Sequence, residues 1–136
     1  MKGSYLLLIE LSDKKTIQIG KLGLIDFPKA SYLYLGSAMN GIEQRIKRHF
    51  SKNKNHHWHI DYFLDSAQLK QAFYKQNDQK EECMISEELH GSFDSMPFFG
   101  SSDCECKSHL FYGNHTSLID CLSVLGFVYF EEKNLI

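Results

Sequence analysis

The amino-acid sequence predicts a small α+β domain in which an antiparallel sheet is flanked by helices. Three observations carry that expectation. The chain has 136 residues, enough for one domain with little room for a second. Two runs, YLLLIEL and ASYLYLG, have the aliphatic and aromatic composition of strands. Apolar residues then recur at helical spacing at Ile42, Ile46 and Phe50, yet helices and strands do not alternate regularly as in a doubly wound sheet.

The elements follow in order. Tyr5 to Leu11 reads as a strand that stops at Ser12-Asp13-Lys14-Lys15, and Thr16, Ile17 and Ile19 read as its hairpin partner. Gly20 and Gly23 punctuate a loop. Ala30 to Gly36 is a third strand whose two-residue period puts Tyr32 and Tyr34 on one face. A helix is expected from about residue 41 to 51, a strand over Leu69 to Tyr74, and helices over Glu81 to His90 and Ser117 to Leu125. An apolar stretch, Phe127 to Phe130, closes the series. No repeat, low-complexity tract or Pro/Gly linker divides the chain, so residues 1 to 136 are read as one unit.

Composition excludes several classes. With 43% hydrophobic and 24% charged residues, disorder is a poor reading. No apolar run approaches the ~20 residues that span a bilayer, and the N-terminus lacks a signal peptide's apolar region, so a cytoplasmic protein without a membrane partner is expected. Cys83, Cys104, Cys106 and Cys121 are then expected as reduced thiols. A net charge of -2 does not describe a body that coats nucleic acid. The distribution says more. Arg45, Lys47, Arg48, Lys52 and Lys54 stand against Glu43 alone in residues 41 to 59, whereas residues 78 to 105 hold eight carboxylates against Lys80 alone. A basic segment can hold a phosphodiester backbone and a carboxylate cluster can recruit a divalent cation; two solvated regions of opposite sign is the plainer alternative.

Helical phase turns particular polar groups inward. On a wheel of about 100° per residue, Arg45 and His49 fall within about 60° of Ile42, while Gln44, Lys47 and Arg48 point to the far side. On the second helix Glu82 shares the face of Ile85 and Leu89, with Glu81, Glu87 and Glu88 turned away. An uncompensated buried charge costs several kcal/mol, so Arg45 and Glu82 either neutralise each other or line a cleft for phosphate and a hard cation.

Two further groupings stand out. His56, His57, Trp58 and His59 follow the basic helix, so Trp58 is either a stacking surface for a base or a core anchor, and His57 and His59 either reach phosphate or pair internally. Asp103, Cys104, Glu105 and Cys106 with His109 offer soft ligands, but lack the paired C-x-x-C spacing of a structural zinc module. Zn²⁺ at Cys104, Cys106 and His109 is the minor reading; a loop presenting Ser101, Ser102 and Asp103 near the cleft is the major one.

Gly3-Ser4-Tyr5 and Tyr34-Leu35-Gly36, followed by Arg45 and His49 on one helix and Glu82 on a later one, resemble the GIY-YIG nuclease superfamily. The runs YLYLGSA, RIKRHF, HWHIDYFL, ECMI and FGSSDCECKSHLFY look like its small stand-alone branch, the Uri-type endonucleases, related to domains fused to endonuclease III-type repair enzymes. The likeness covers about residues 1 to 112. It implies a three-stranded antiparallel sheet flanked by helices and metal-dependent hydrolysis of phosphodiester bonds in DNA. Tyr5 would be general base or orienter of water, Tyr34 its hydrogen-bonded neighbour, Gly36 a turn admitting the helix, Arg45 the stabiliser of phosphate charge, His49 a positioning group and Glu82 the ligand of Mg²⁺ or Mn²⁺. Arg48, Lys52, Lys54, His57, Trp58 and His59 are the candidate nucleic-acid contacts. Ser4 departs from the name-giving isoleucine, and the insert TIQIGKLGLIDFPK implies an added hairpin or loop at the sheet edge.

The expected function is therefore a DNA endonuclease acting on an altered or branched structure, alone or with a repair-enzyme partner, with RNA also open as substrate. The rival is a nucleic-acid-binding module or adaptor of the same fold that does not cleave.

Overall fold

A strand whose centre is an unbroken apolar run, Tyr5 to Ile9, needs cover on both faces, and the first strand, β1 (Gly3–Leu11), has it. The computed structural model describes residues 1–101 and 106–131. After β1 come β2 (Lys15–Gln18), a single 3₁₀ turn (Gly20–Leu22), β3 (Leu24–Phe27), β4 (Ala30–Ala38) and helix α1 (Ile42–Phe50). Then follow α2 (His59–Leu64), β5 (Gln68–Gln76), α3 (Glu82–His90), β6 (Asp94–Ser95), β7 (Leu110–Gly113), α4 (His115–Val124) and β8 (Val128–Tyr129). The architecture is α+β. The main sheet runs β6-β7-β4-β1-β5-β8 with antiparallel pairings throughout.

The two-residue period of the central strands sorts their side chains into two cores. Tyr5, Leu7, Ile9, Tyr32 and Tyr34 pack with Ile42 and Ile46 of α1 and with Ile60 and Phe63 of α2. Leu6, Leu8, Leu33 and Leu35 pack with Ile85 and Leu89 of α3 and with Leu118 and Leu122 of α4. Each such buried aliphatic side chain contributes about 1.5–3 kcal/mol. No helix among the described residues is long and apolar enough to cross a membrane.

Several expectations are corrected here. The sheet has six strands rather than three. β2 does not pair with β1, because β4 and β5 occupy both edges of β1; it pairs with β3 in a separate two-stranded sheet. The insert thus forms its own hairpin, with Gly20 at φ +45° and Gly23 at φ +85° supplying backbone that other residues adopt with strain. Gly36 is not a turn: it lies within β4, opposite Tyr5. The short α2, β3, β6 and β7 carry too little periodicity to be legible in the sequence.

Candidate active site

The β1–β4 register sets Tyr5 against Gly36 and Leu7 against Tyr34. A Cβ on Gly36 would lie 2.2 Å from Cζ of Tyr5, so the missing side chain is the space that the Tyr5 ring occupies. On the same face, α1 delivers Arg45 and His49 one helical turn apart. The Tyr5 hydroxyl and His49 Nε2 lie 2.8 Å apart, with both residues about 2% exposed. Arg45 donates to the carbonyl of Ser37 at 3.2 Å, and its guanidinium charge acts on the Tyr5 hydroxyl.

Tyr5 and Arg45 open onto a cleft of about 380 Å³ lined also by Tyr34, Trp58, Lys80, Glu82 and His109, with His49 buried behind Tyr5. Glu82, the first residue of α3, is largely covered, and its carboxylate is 3.4 Å from the Lys80 ammonium. Arg45 and Glu82 do not neutralise each other: the ion partner of Glu82 is Lys80. Nor is Tyr34 a hydrogen-bonded neighbour of Tyr5, because the register places Gly36 there; the Tyr34 ring meets His49 and Phe99 edge-on, with centroids 6.1 and 6.2 Å away.

Burial shapes the protonation states. It pushes the Tyr5 phenol well above its ordinary range despite the opposing Arg45 guanidinium, and it raises Tyr34 likewise. It drives His49 down to about 3, against the pull of Asp61 and with help from Arg48, so the imidazole is neutral. His49 Nδ1 is buried without a partner. A buried bare lone pair is tolerated better than a buried unpaired N–H, so the proton belongs on Nε2 and is donated to Tyr5. The Tyr5 oxygen then accepts from His49, and its own proton is directed away from that bond.

Behind this cluster stands a second one. Asp61 is fully buried and takes a two-pronged hydrogen bond from Arg48 at 3.0 and 2.9 Å, while the backbone N–H groups of His57 and Trp58 donate to the same carboxylate at 2.8 and 2.9 Å. Burial alone would raise its pKa; these donors outweigh it and hold Asp61 down to about 2. Both guanidinium groups lie against the Trp58 ring, Arg45 at 4.6 Å and Arg48 at 4.3 Å from its centroid.

The candidate nucleic-acid residues are therefore not one surface. Arg48 folds back onto Asp61 instead of projecting to the far side of α1. Lys54 donates to the carbonyls of His49 and Ser51 at the C-terminal end of α1, where a cation complements the helix dipole. His59 turns inward and accepts from the Gly100 N–H at 2.8 Å. Trp58 packs against the core and still lines the cleft. Lys52 and His57 are exposed.

Lys80 and His109 are cleft residues that helical phase could not reveal, since neither lies on a helix. His109, grouped in sequence with the cysteines, instead sits at the entrance to β7 on the cleft wall, with its N–H bonded to Phe99 and its carbonyl to Leu35. Cys106 lies apart from the cleft, in a groove beside Cys83 and Met84. Ser102, Asp103, Cys104 and Glu105 lie outside the described residues. Among those described, no three His, Cys, Asp or Glu side chains gather as they would around a metal ion.

Fold and site together define an α+β protein whose cleft joins a buried tyrosine–histidine pair, an arginine and, among the described residues, a single carboxylate. A family model described as Domain of unknown function DUF123 matches residues 4–126, and the chain belongs to that family. No curated protein and no solved structure matches it.

Proposed function

We propose that this chain is a metal-dependent endonuclease of the GIY-YIG type that hydrolyses phosphodiester bonds in DNA. The observation that carries the reading is the convergence of Tyr5, Arg45 and Glu82, from three separate elements, on one cleft, with His49 bonded to Tyr5 from behind. A pure binding surface has no use for a phenol buried against an imidazole and a guanidinium.

Arg45 is placed to donate to a phosphate oxygen entering the cleft while keeping its hydrogen bond to the Ser37 carbonyl. As a phenol, Tyr5 orients the attacking water through the hydroxyl proton that its bond from His49 leaves unused. As a phenolate, a state that the His49 hydrogen bond and the Arg45 charge favour, it accepts the water's proton. Water oxygen bonds phosphorus as the ester P–O bond breaks, and the departing oxygen takes a proton from solvent. Glu82 is the one carboxylate lining the cleft among the described residues, and a single carboxylate with water and substrate phosphate suits Mg²⁺ or Mn²⁺. Such a cation, when bound, supplies Lewis-acid stabilisation of charge on the phosphate.

The same reading places the protein in the cytoplasm, with DNA as partner and a repair enzyme as a candidate associate. One observation favours the rival, a non-cleaving nucleic-acid-binding module: Lys80 already neutralises Glu82. Cleavage of labelled single-stranded, duplex, flap and abasic DNA, and of RNA, with Mg²⁺ or Mn²⁺ decides between them. Activity lost in both Glu82→Ala and Arg45→Ala, with folding intact, supports the nuclease. Binding without cleavage by the wild type selects the module.

A further inference from the structure

Met96, Pro97, Phe98 and Phe99 form a tight turn closed by a hydrogen bond from the Phe99 N–H to the Met96 carbonyl at 3.3 Å. Proline at the second position and positive φ at the third are the marks of a type II turn, whose third position calls for glycine or asparagine. Here that residue is Phe98, at φ +63°, the only non-glycine residue with positive φ among those described. A bulky side chain there is strained, and burial does not compensate it, since Phe98 is 70% exposed. Its neighbour Phe99, by contrast, is wholly buried.

The turn is held firmly against the cleft. The Phe98 N–H bonds the Lys107 carbonyl and the His109 N–H bonds the Phe99 carbonyl, both at 2.8 Å, so this short ladder prolongs the wall on which Gly100 and His109 line the site. At its outer rung stand an exposed aromatic residue, Phe98, and an exposed cation, Lys107. Arg45 carries positive charge into the cleft itself. An aromatic surface beside cations matches a polyanion that carries planar bases.

We infer that Phe98 is a base-contacting residue that stacks on an unpaired nucleotide beside the phosphate held in the cleft, with Lys107 facing the adjoining backbone. This rests on the nucleic-acid reading above and narrows its substrate to single strands or disrupted duplexes. Paired bases keep their faces against one another, whereas an unpaired base offers a face to Phe98.

The test is binding in EDTA, which separates it from cleavage. Fluorescein-labelled single-stranded DNA, the same sequence as a full duplex, and that duplex with central mismatches are titrated with wild type, Phe98→Gly and Phe98→Trp. Glycine relieves the turn, so Phe98→Gly folds at least as stably as wild type, as a thermal melt records. Phe98→Gly is expected to lose about tenfold in affinity for the single strand and the mismatched duplex, the scale of one lost base–aromatic stack. Affinity for the full duplex stays within about twofold, and Phe98→Trp retains wild-type binding. Unchanged binding of Phe98→Gly to all three probes, or an equal loss on all three, overturns this inference and leaves the nucleic-acid reading standing. Wild type that binds none of them overturns both.

Discussion

Tyr5 and Gly36 face each other across the β1–β4 ladder, and the tyrosine ring fills the space where a side chain at position 36 would stand. The glycine is thus part of the site through what it lacks. Its conformation needs no special φ; its role is volume.

Gly36→Ala consequently overpacks a closed contact. The contact is with a ring and its hydroxyl, 2.2 and 2.4 Å from the added carbon, so either the strand shifts or Tyr5 leaves its position. A loss of about 1–3 kcal/mol in urea denaturation is expected. The bond between Tyr5 and His49 breaks with it, visible as a changed His49 ring shift in the NMR spectrum. An unchanged ring shift together with wild-type stability would show that the contact is slack.

Acid should destabilise the fold through His49. Its folded pKa of about 3 lies below the ordinary 6.5, so between these values the unfolded chain binds the proton and the folded chain does not. The contribution is fully present above about pH 6.5 and is lost as pH falls toward 3, at up to about 1.4 kcal/mol per pH unit. Asp61, held at about 2 against an ordinary 3.8, adds a second loss only below about pH 4. Urea midpoints from neutral pH down to about pH 4.5 should fall in wild type and flatten in His49→Gln. Equal slopes would refute the neutral, buried imidazole.

Asp61 anchors more than one partner. Asp61→Ala leaves the Arg48 fork and two backbone N–H groups without their acceptor, and a loss of about 3–5 kcal/mol is expected in chemical denaturation. Arg48→Met should lose less, because Arg48 is partly solvated and the two amides still donate hydrogen bonds to the carboxylate. If the two variants are equally mild, the pair is not the keystone of this segment.

Lys80 competes for Glu82. Removing the ammonium in Lys80→Ala should tighten Mn²⁺ binding, measured by electron paramagnetic resonance without substrate, by up to about fivefold, the ceiling for an exposed ion pair. Glu82→Gln should abolish it. Retained Mn²⁺ binding in Glu82→Gln would move the cation to other ligands.

Much of this was legible in the chain itself, and the legible part is local. The alternation of β1 and β4 and the three-to-four-residue spacing of α1 put Tyr5, Tyr34, Arg45 and His49 on interior faces by backbone period alone. The mixture of strand-like and helix-period runs predicted the α+β class. Non-local pairing was beyond reach. That β5 takes the second edge of β1, and so sends β2 to a hairpin with β3, depends on contacts between residues far apart in sequence. So do the position of Lys80 beside Glu82, the withdrawal of Arg48 onto Asp61 and the place of His109 on the cleft wall. Periodicity encodes which way a side chain faces; what it meets there is decided by register and packing, which only the folded chain contains.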